Sequence, residues 1–317
     1  MKTWRKFALV SLLVPVVVGP ASGAPQPDRL TPNDAEVVVQ VNVRQLLQKP
    51  IVKKHALDPI KALLKHNAEL QQLLTAAGLD PLRDIDTLCL CTSGNPMAGG
   101  KLLAVVRGDF DEEKSRKAAE EYAKKHPGRL KSVKDGELPM WEITDDNKSF
   151  YAAFAGTKTL VMTTTKKDTA AVVGRAGQTP QRPNKGLQAA LDHLKGSESI
   201  WMAMVATDEI KQLLKGDDTA KDFAAALQSV TGALELSDDA QLSLVVHTNS
   251  PKAAEQIKGK LDELMPLLTF IGAGKDKSGR VVKQVIDSIK LKTEKNDVSI
   301  RLQVTDAQID KARKKDR

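Results

Sequence analysis

The sequence predicts an α+β protein of two similar halves, each a mainly antiparallel sheet with helices packed on one face. Three observations predict it. First, one unit occurs twice. Apolar residues 102–106 are followed by the acidic turn Asp109-Phe110-Asp111 and a charged helix to Lys125; apolar residues 242–246 are followed by Asn249-Ser250-Pro251 and a helix from Lys252 towards Leu268. Second, residues 138–143, 150–155 and 159–165 are short strand-like runs separated by the polar turns Asp145-Asp146-Asn147 and Gly156-Thr157, the pattern of a meander. Third, residues 177–186, GQTPQRPNKG, hold two prolines, two glycines and no apolar residue, so they read as a linker. The expected organisation is a signal peptide over 1–23, a first half over 24–176, the linker, and a second half over 187–317.

Each element has a local reason. Lys2, Arg5 and Lys6 precede an apolar run, 7–18, and the small residues Ala21-Ser22-Gly23, the layout of a cleaved export signal. The run is shorter than the ~20 residues that span a bilayer, although a retained anchor stays open as the alternative. No second stretch is apolar enough to span, so no transmembrane segment is expected after cleavage. Residues 35–43 alternate as a strand, with Val37, Val39, Val41 and Val43 on one face and Gln40 and Asn42 on the other. Arg44-Gln45-Leu46-Leu47 begins a short helix that stops at Pro50. Asp58-Pro59 opens a longer one, with Asp58 as N-cap and the stripe Ile60, Leu63, Leu64, Leu70, Leu73 and Leu74, closed by Gly78. Residues 87–92 form a strand holding Cys89 and Cys91, and 93–100 form a glycine-rich loop. After the helix to Lys125 and the meander, a helix over 167–174 closes the half.

In the second half, Leu187, Ala190, Leu191 and Leu194 mark a helix, 199–206 a strand, 219–230 a helix, and 233–236 and 241–246 strands. Ser250-Pro251 is an N-cap signal for the helix carrying Ala253, Ala254, Ile257, Leu261, Leu264 and Leu268. Strands over 286–293 and 298–304 pair across Glu294-Lys295-Asn296-Asp297, and a last helix runs from 306 into a basic tail. The order repeats with a fixed offset: Val105-Val106 to Val245-Val246 and Thr164-Thr165 to Val304-Thr305 are both 140 residues, while Gln45-Leu46-Leu47 to Gln212-Leu213-Leu214 is 167. A shorter helix in the second half absorbs that difference. This predicts an internal duplication.

Composition bounds the function. Hydrophobic residues are 41% of the chain but aromatics only 3%, so the core is built from Leu, Val, Ile and Ala. The net charge of +8 falls to about +5 without the signal segment, and Lys alternates with Glu and Asp along the helices, as on a solvated surface. The remaining excess suits an anionic surface as a partner. Cys89 and Cys91 point the same way on a strand, with Cα atoms about 6.5–7 Å apart, at the limit of disulfide geometry. They read as paired buried thiols, with a strained or intermolecular disulfide and metal or redox chemistry as alternatives.

Chemistry-bearing motifs are sparse. His55, His66, His126, His193 and His247 show no metal-ligand spacing. Ser93 and Ser197 lie outside any nucleophile elbow. Gly272-Ala273-Gly274-Lys275 lacks the spacing of a phosphate loop. The pairs Asp84/Asp86, Asp109/Asp111 and Asp145/Asp146 sit at element boundaries, where Asp caps and turns. Asn147-Lys148-Ser149 is a formal glycosylation sequon. No catalytic residue, cofactor or metal site is expected, and no nucleic-acid partner. Trp141, Tyr151 and Trp201 are candidates for an apolar ligand patch, with core packing as the plainer reading.

The opening VVVQVNVRQLLQKPIVKKH, the segment LDPLRDID before a strand and LLAVVRGDFD before a helix resemble a group of uncharacterised, signal-bearing exported proteins abundant in planctomycete bacteria. The resemblance covers most of the chain after the signal. It implies envelope localisation and a duplicated α+β fold, and it carries over no catalytic residue. The expected function is that of an exported, non-enzymatic binding or interaction module of the periplasm or cell surface, meeting an envelope protein or anionic surface. The alternatives are a hydrolase whose site assembles from distant residues and a lipid or small-ligand carrier.

Overall fold

The computed structural model describes residues 24–66, 68–95, 99–145, 148–213, 218–272 and 283–313. The signal segment, part of the loop 93–100, Asn147 of the sequon, the residues after Gly272 up to 282, Leu214 and the end of the basic tail lie outside the described residues. The chain is α+β: the described residues form twelve antiparallel strands with helices packed on them. It divides into two compact units, one built on Gln26–Gln48 and Val52–Gln188, the other on Ala189–Arg317 with Lys49–Ile51. Among the described residues, no helix is long and apolar enough to cross a membrane.

The first unit begins with β1 (Val37–Asn42), α1 (Val43–Gln48), α2 (Pro50–His55), α3 (Leu57–His66), α4 (Ala68–Ala77) and α5 (Pro81–Asp84). The helix expected to open at Asp58 starts one residue earlier, so Asp58 lies in its first turn instead of capping it. There follow β2 (Ile85–Ser93), β3 (Lys101–Gly108), α6 (Glu112–Lys125), β4 (Leu130–Asp135), β5 (Leu138–Asp145), β6 (Lys148–Phe154), β7 (Thr159–Thr163) and α7 (Lys166–Gly174); α8 (Lys185–Leu191) begins in this unit and ends in the second, the boundary falling after Gln188. The strand order is β1-β2-β3-β7-β6-β5-β4, antiparallel at every step. Strand β4 was not foreseen. It is an edge strand whose one buried side chain is Leu130, so it carries little apolar signal.

Helix α6 shows why these residues fold as they do. The Asp111 carboxylate accepts from the Lys114 N–H at 3.0 Å, Glu112 and Glu113 occupy the positive end, and Lys124 and Lys125 the negative end. Its inward side chains Ala119, Tyr122 and Ala123 pack on Trp141, Ala152 and Phe154, with Leu160 and Met162 alongside. Each large apolar side chain buried there contributes about 1.5–3 kcal/mol. Met162 is on this face, so Thr163 and its partner Leu103 point to the other. There the Thr163 and Thr169 hydroxyls meet at 2.8 Å, and Thr169 lies on α7. Helices therefore cover both faces of this sheet, where the sequence suggested one. The cause is visible in residues 102–106, which are apolar without alternation and need cover on both sides.

One close approach fixes the end of β3. A Cβ on Gly108 would fall 2.0 Å from the Asp84 carbonyl oxygen. That carbonyl also accepts from the Asp109 N–H at 2.7 Å. The Asp84 side chain is itself committed, accepting from the Asp80 N–H at 2.7 Å and from Arg83 Nε at 2.7 Å.

The second unit comprises β8 (Ile200–Val205), α9 (Asp208–Leu213), α10 (Asp218–Ala226), β9 (Leu227–Leu236), β10 (Ala240–Thr248), α11 (Pro251–Gly272), β11 (Lys290–Glu294) and β12 (Asp297–Val304), then a helix over Asp306–Arg313. Its order is β11-β12-β10-β9-β8, again antiparallel. Strand β9 starts at Leu227, inside the stretch whose sequence suggested a helix to 230. One face packs Val246 and Val298 against Ala254 and Ile257 of α11, with Phe223 of α10 beside them.

Both units place their third strand next to the last strand of the sheet, with a long helix between them in sequence. The first unit adds one more hairpin. At the 140-residue offset, Val106 and Val246 both point to the face of the long helix, as do Met162 and Leu302. The return strands differ in register by two residues: Val106 lies opposite Leu160, but Val246 lies opposite Val298 and not Ile300. An even shift leaves every side chain on its face.

Candidate metal-binding site

On the face of the second sheet away from α11, β9, β10 and β12 bring three polar side chains together. His247 lies opposite Asp297 on β12 and opposite Ser229 on β9. Thr231, two residues along β9, is its diagonal neighbour on the same face. A register shift between His247 and Thr248 ends regular pairing there. The Thr248 N–H and hydroxyl both donate to the Asn296 carbonyl, at 2.9 and 2.7 Å, which pins the β11–β12 turn to β10. That turn carries Lys295 at φ 53°, the left-handed region, and delivers Asp297 to its place.

The fourth residue comes from the turn after α8. The His193 N–H donates to the Ala190 carbonyl at 3.2 Å, the Leu194 N–H donates to the Leu191 carbonyl at 2.9 Å, and Leu191 and Leu194 are buried. This anchoring sets the exposed His193 ring over that of His247, with centroids 4.0 Å apart.

His247 Nδ1 lies 2.9 Å from Asp297 Oδ1, and Nε2 lies 3.1 Å from Thr231 Oγ1. A carboxylate only accepts, so in the neutral ring Nδ1–H donates to Asp297 and the Thr231 hydroxyl donates to Nε2. Burial pushes the His247 pKa below its ordinary value of 6.5; the Asp297 hydrogen bond opposes this, and His193 adds to it. The ring is therefore held neutral near pH 7, with a lone pair available once its partner shifts. Thr231 is 1% exposed, the His247 side chain 6% and the Asp297 side chain 33%. The hydroxyl lies at the closed end and the carboxylate and second imidazole at the open end. Among the described residues, His193, His247 and Asp297 form the one group of three metal-capable side chains whose ligand atoms all lie within 4.8 Å.

Sequence reasoning missed this cluster. Its histidines are 54 residues apart and Asp297 is a further 50 away, so no local spacing marks it. The signal that existed was the pairing of 298–304 with 241–246, which brings a histidine and an aspartate to neighbouring strand ends.

The residues singled out from the sequence lie elsewhere. Trp141 is buried beneath α6, edge-on to Phe154, with the Arg116 guanidinium 5.5 Å from its ring centre. Tyr151 pairs with Glu142, so it points to the opposite face of the same hairpin, and its hydroxyl donates to Glu142 Oε1 at 3.3 Å. Trp201 belongs to the other unit, buried opposite Ala233 on the face that carries Thr231. Cys89 and Cys91 are free and buried, with sulfurs 3.6 Å apart. The contact with Cys91 and burial push the Cys89 thiol well above its ordinary pKa. Beside them Arg107 Nη2 donates to Asp28 Oδ1 at 2.9 Å, and Nη1 donates to the Thr159 hydroxyl at 2.8 Å.

No family model and no curated protein matches the chain. Among solved structures, crystal form I of TP0453 resembles it with 9% identity and a TM-score of 0.43, over 91% of this chain and 97% of that one. That likeness is too distant to carry fold or function from one to the other.

Proposed function

We propose that the protein is exported and acts as a non-enzymatic binding or interaction module of the periplasm or cell surface. The observation that carries this reading is the orientation of the Thr231–His247–Asp297 chain. A hydroxyl–imidazole–carboxylate relay cleaves substrates only when its hydroxyl faces the reacting carbonyl. Here the hydroxyl is the buried end, at 1% exposure, and the groups open to solvent are suited to holding a ligand. Export is supported by the charged, apolar and small-residue layout of residues 1–23, and an anionic partner by the basic balance of the chain.

The second reading, a hydrolase with a site assembled from distant residues, is favoured by the presence of the relay itself. The two separate in one experiment: wild-type protein and Thr231→Val are assayed against ester, peptide and phosphoester substrates, and the protein purified from its own host is weighed by native mass spectrometry. The expected result is no turnover by either form, with a mature N-terminus near Ala24. Turnover that disappears in Thr231→Val would make the relay catalytic and overturn the module reading.

A further inference from the structure

We propose that His193, His247 and Asp297 bind a divalent transition-metal cation of the zinc class, with the Thr231 hydroxyl orienting the His247 ring. This names the ligand of the module described above and rests on that reading for the open side of the site.

The donor set selects the metal. Two imidazoles and one carboxylate suit a borderline cation such as Zn²⁺, whereas Mg²⁺ and Ca²⁺ require shells of oxygen. The ligand atoms lie within reach of one cation, provided that the His193 ring, now 4.0 Å from that of His247 and tilted 30° to it, turns its nitrogen out of the stack. Bonds of about 2.0–2.1 Å in a tetrahedral shell place ligand atoms roughly 3.3–3.4 Å apart. His247 Nδ1 and Asp297 Oδ1, at 2.9 Å, open slightly, while atoms now up to 4.8 Å apart close in. Strands β10 and β12 fix two of the ligands. The third, His193, is exposed and lies on a turn, so it can make most of the adjustment.

Thr231 supplies the group that a metal-bound histidine requires behind it. Without metal the ring proton is on Nδ1 and the Thr231 hydroxyl donates to Nε2. With metal the Nδ1 lone pair binds the cation, the proton resides on Nε2, and the same hydroxyl accepts it across 3.1 Å. The neutral ring changes tautomer with no net gain or loss of protons. Three protein ligands would leave one position of a tetrahedral shell for water.

The test uses untagged, chelator-stripped protein titrated calorimetrically with ZnCl₂, and with MgCl₂ and CaCl₂ in parallel. One Zn²⁺ per chain is expected, with no heat from Mg²⁺ or Ca²⁺, and Co²⁺ should give the intense visible absorption of a tetrahedral site. His193→Ala alters an exposed side chain and should leave the fold intact while weakening zinc more than about 100-fold; Thr231→Val should weaken it about 10-fold. His66→Ala, at an exposed histidine outside the cluster, should bind as the wild type does. No stoichiometric zinc uptake, or uptake unchanged in His193→Ala, overturns the proposal. Absent zinc together with absent hydrolysis removes the cation and leaves the module. Hydrolysis lost in Thr231→Val removes the module reading itself.

Discussion

Arg107 and His247 occupy the same place in their two units, near the end of the third strand and 140 residues apart, and each faces its return strand. Their surroundings are opposites. Arg107 meets Asp28, whose side chain is 5% exposed, and its hydrogen bond to that carboxylate raises its pKa further. The result is a pair with a permanent cation and a closed carboxylate. His247 meets a partly exposed carboxylate and a second imidazole, and burial keeps it neutral. A guanidinium that never sheds its proton can only hold its partner. An imidazole can exchange a hydrogen bond for a bond to something else. The same strand position thus holds a closed ion pair in one unit and, in the other, a neutral imidazole beside a partly exposed carboxylate. The shared placement supports internal duplication as a proposal, one that the two-residue difference in register leaves compatible with equal faces.

The largest test of this contrast is Arg107→Met. It leaves the Asp28 carboxylate buried without its cation, and urea unfolding should show a loss of about 3 kcal/mol. A loss near zero would mean that Asp28 reaches water and that the pair is not a closed clasp. Next, His247→Ala removes a buried ring and leaves the Thr231 hydroxyl without its partner, for a loss of about 2 kcal/mol at neutral pH.

Acid should separate the two positions further. Well above pH 6.5 His247 is neutral whether the chain is folded or not. Below 6.5 the unfolded chain takes up a proton that the folded site resists, so stability falls with pH until the depressed folded value is reached. Arg107 keeps its charge throughout and adds no such slope. Metal-free unfolding curves between pH 7.5 and 5 check this, and the part of the slope due to His247 should vanish in His247→Ala. Thr231→Val, which keeps the shape and removes the hydroxyl, should cost about 1 kcal/mol. The smallest effect is expected at the turn that carries Asp297: Lys295→Gly relieves the left-handed strain and should raise stability by about 0.5 kcal/mol.

Much of the scaffold was legible because burial leaves periodic traces. Residues 35–43 and 241–246 announce strands, and Asp111 and Ser250 announce helix starts. Strand β4 was silent because an edge strand with Leu130 as its one buried side chain has no pattern to show. The start of β9 was misread because residues 227–230, Leu-Gln-Ser-Val, continue a helical spacing of apolar residues, and pairing with β8 and β10 overrides it. The site was illegible for a different reason. Each of its members is ordinary in its own neighbourhood: His193 ends a helix, His247 ends a strand, and Asp297 follows a turn. Only the antiparallel pairing of β10 with β12 and the anchoring of Leu191 and Leu194 bring them together.

The contact at Gly108 has a consequence for variation. No side chain is smaller than hydrogen, and a methyl group there would overlap a backbone oxygen that cannot rotate away. Every missense codon at this position is therefore equivalent: alanine should be tolerated no better than tryptophan. In a saturation library position 108 should appear as a uniform blank, whereas neighbouring Arg107 should show graded tolerance as side chains come closer to its length and charge.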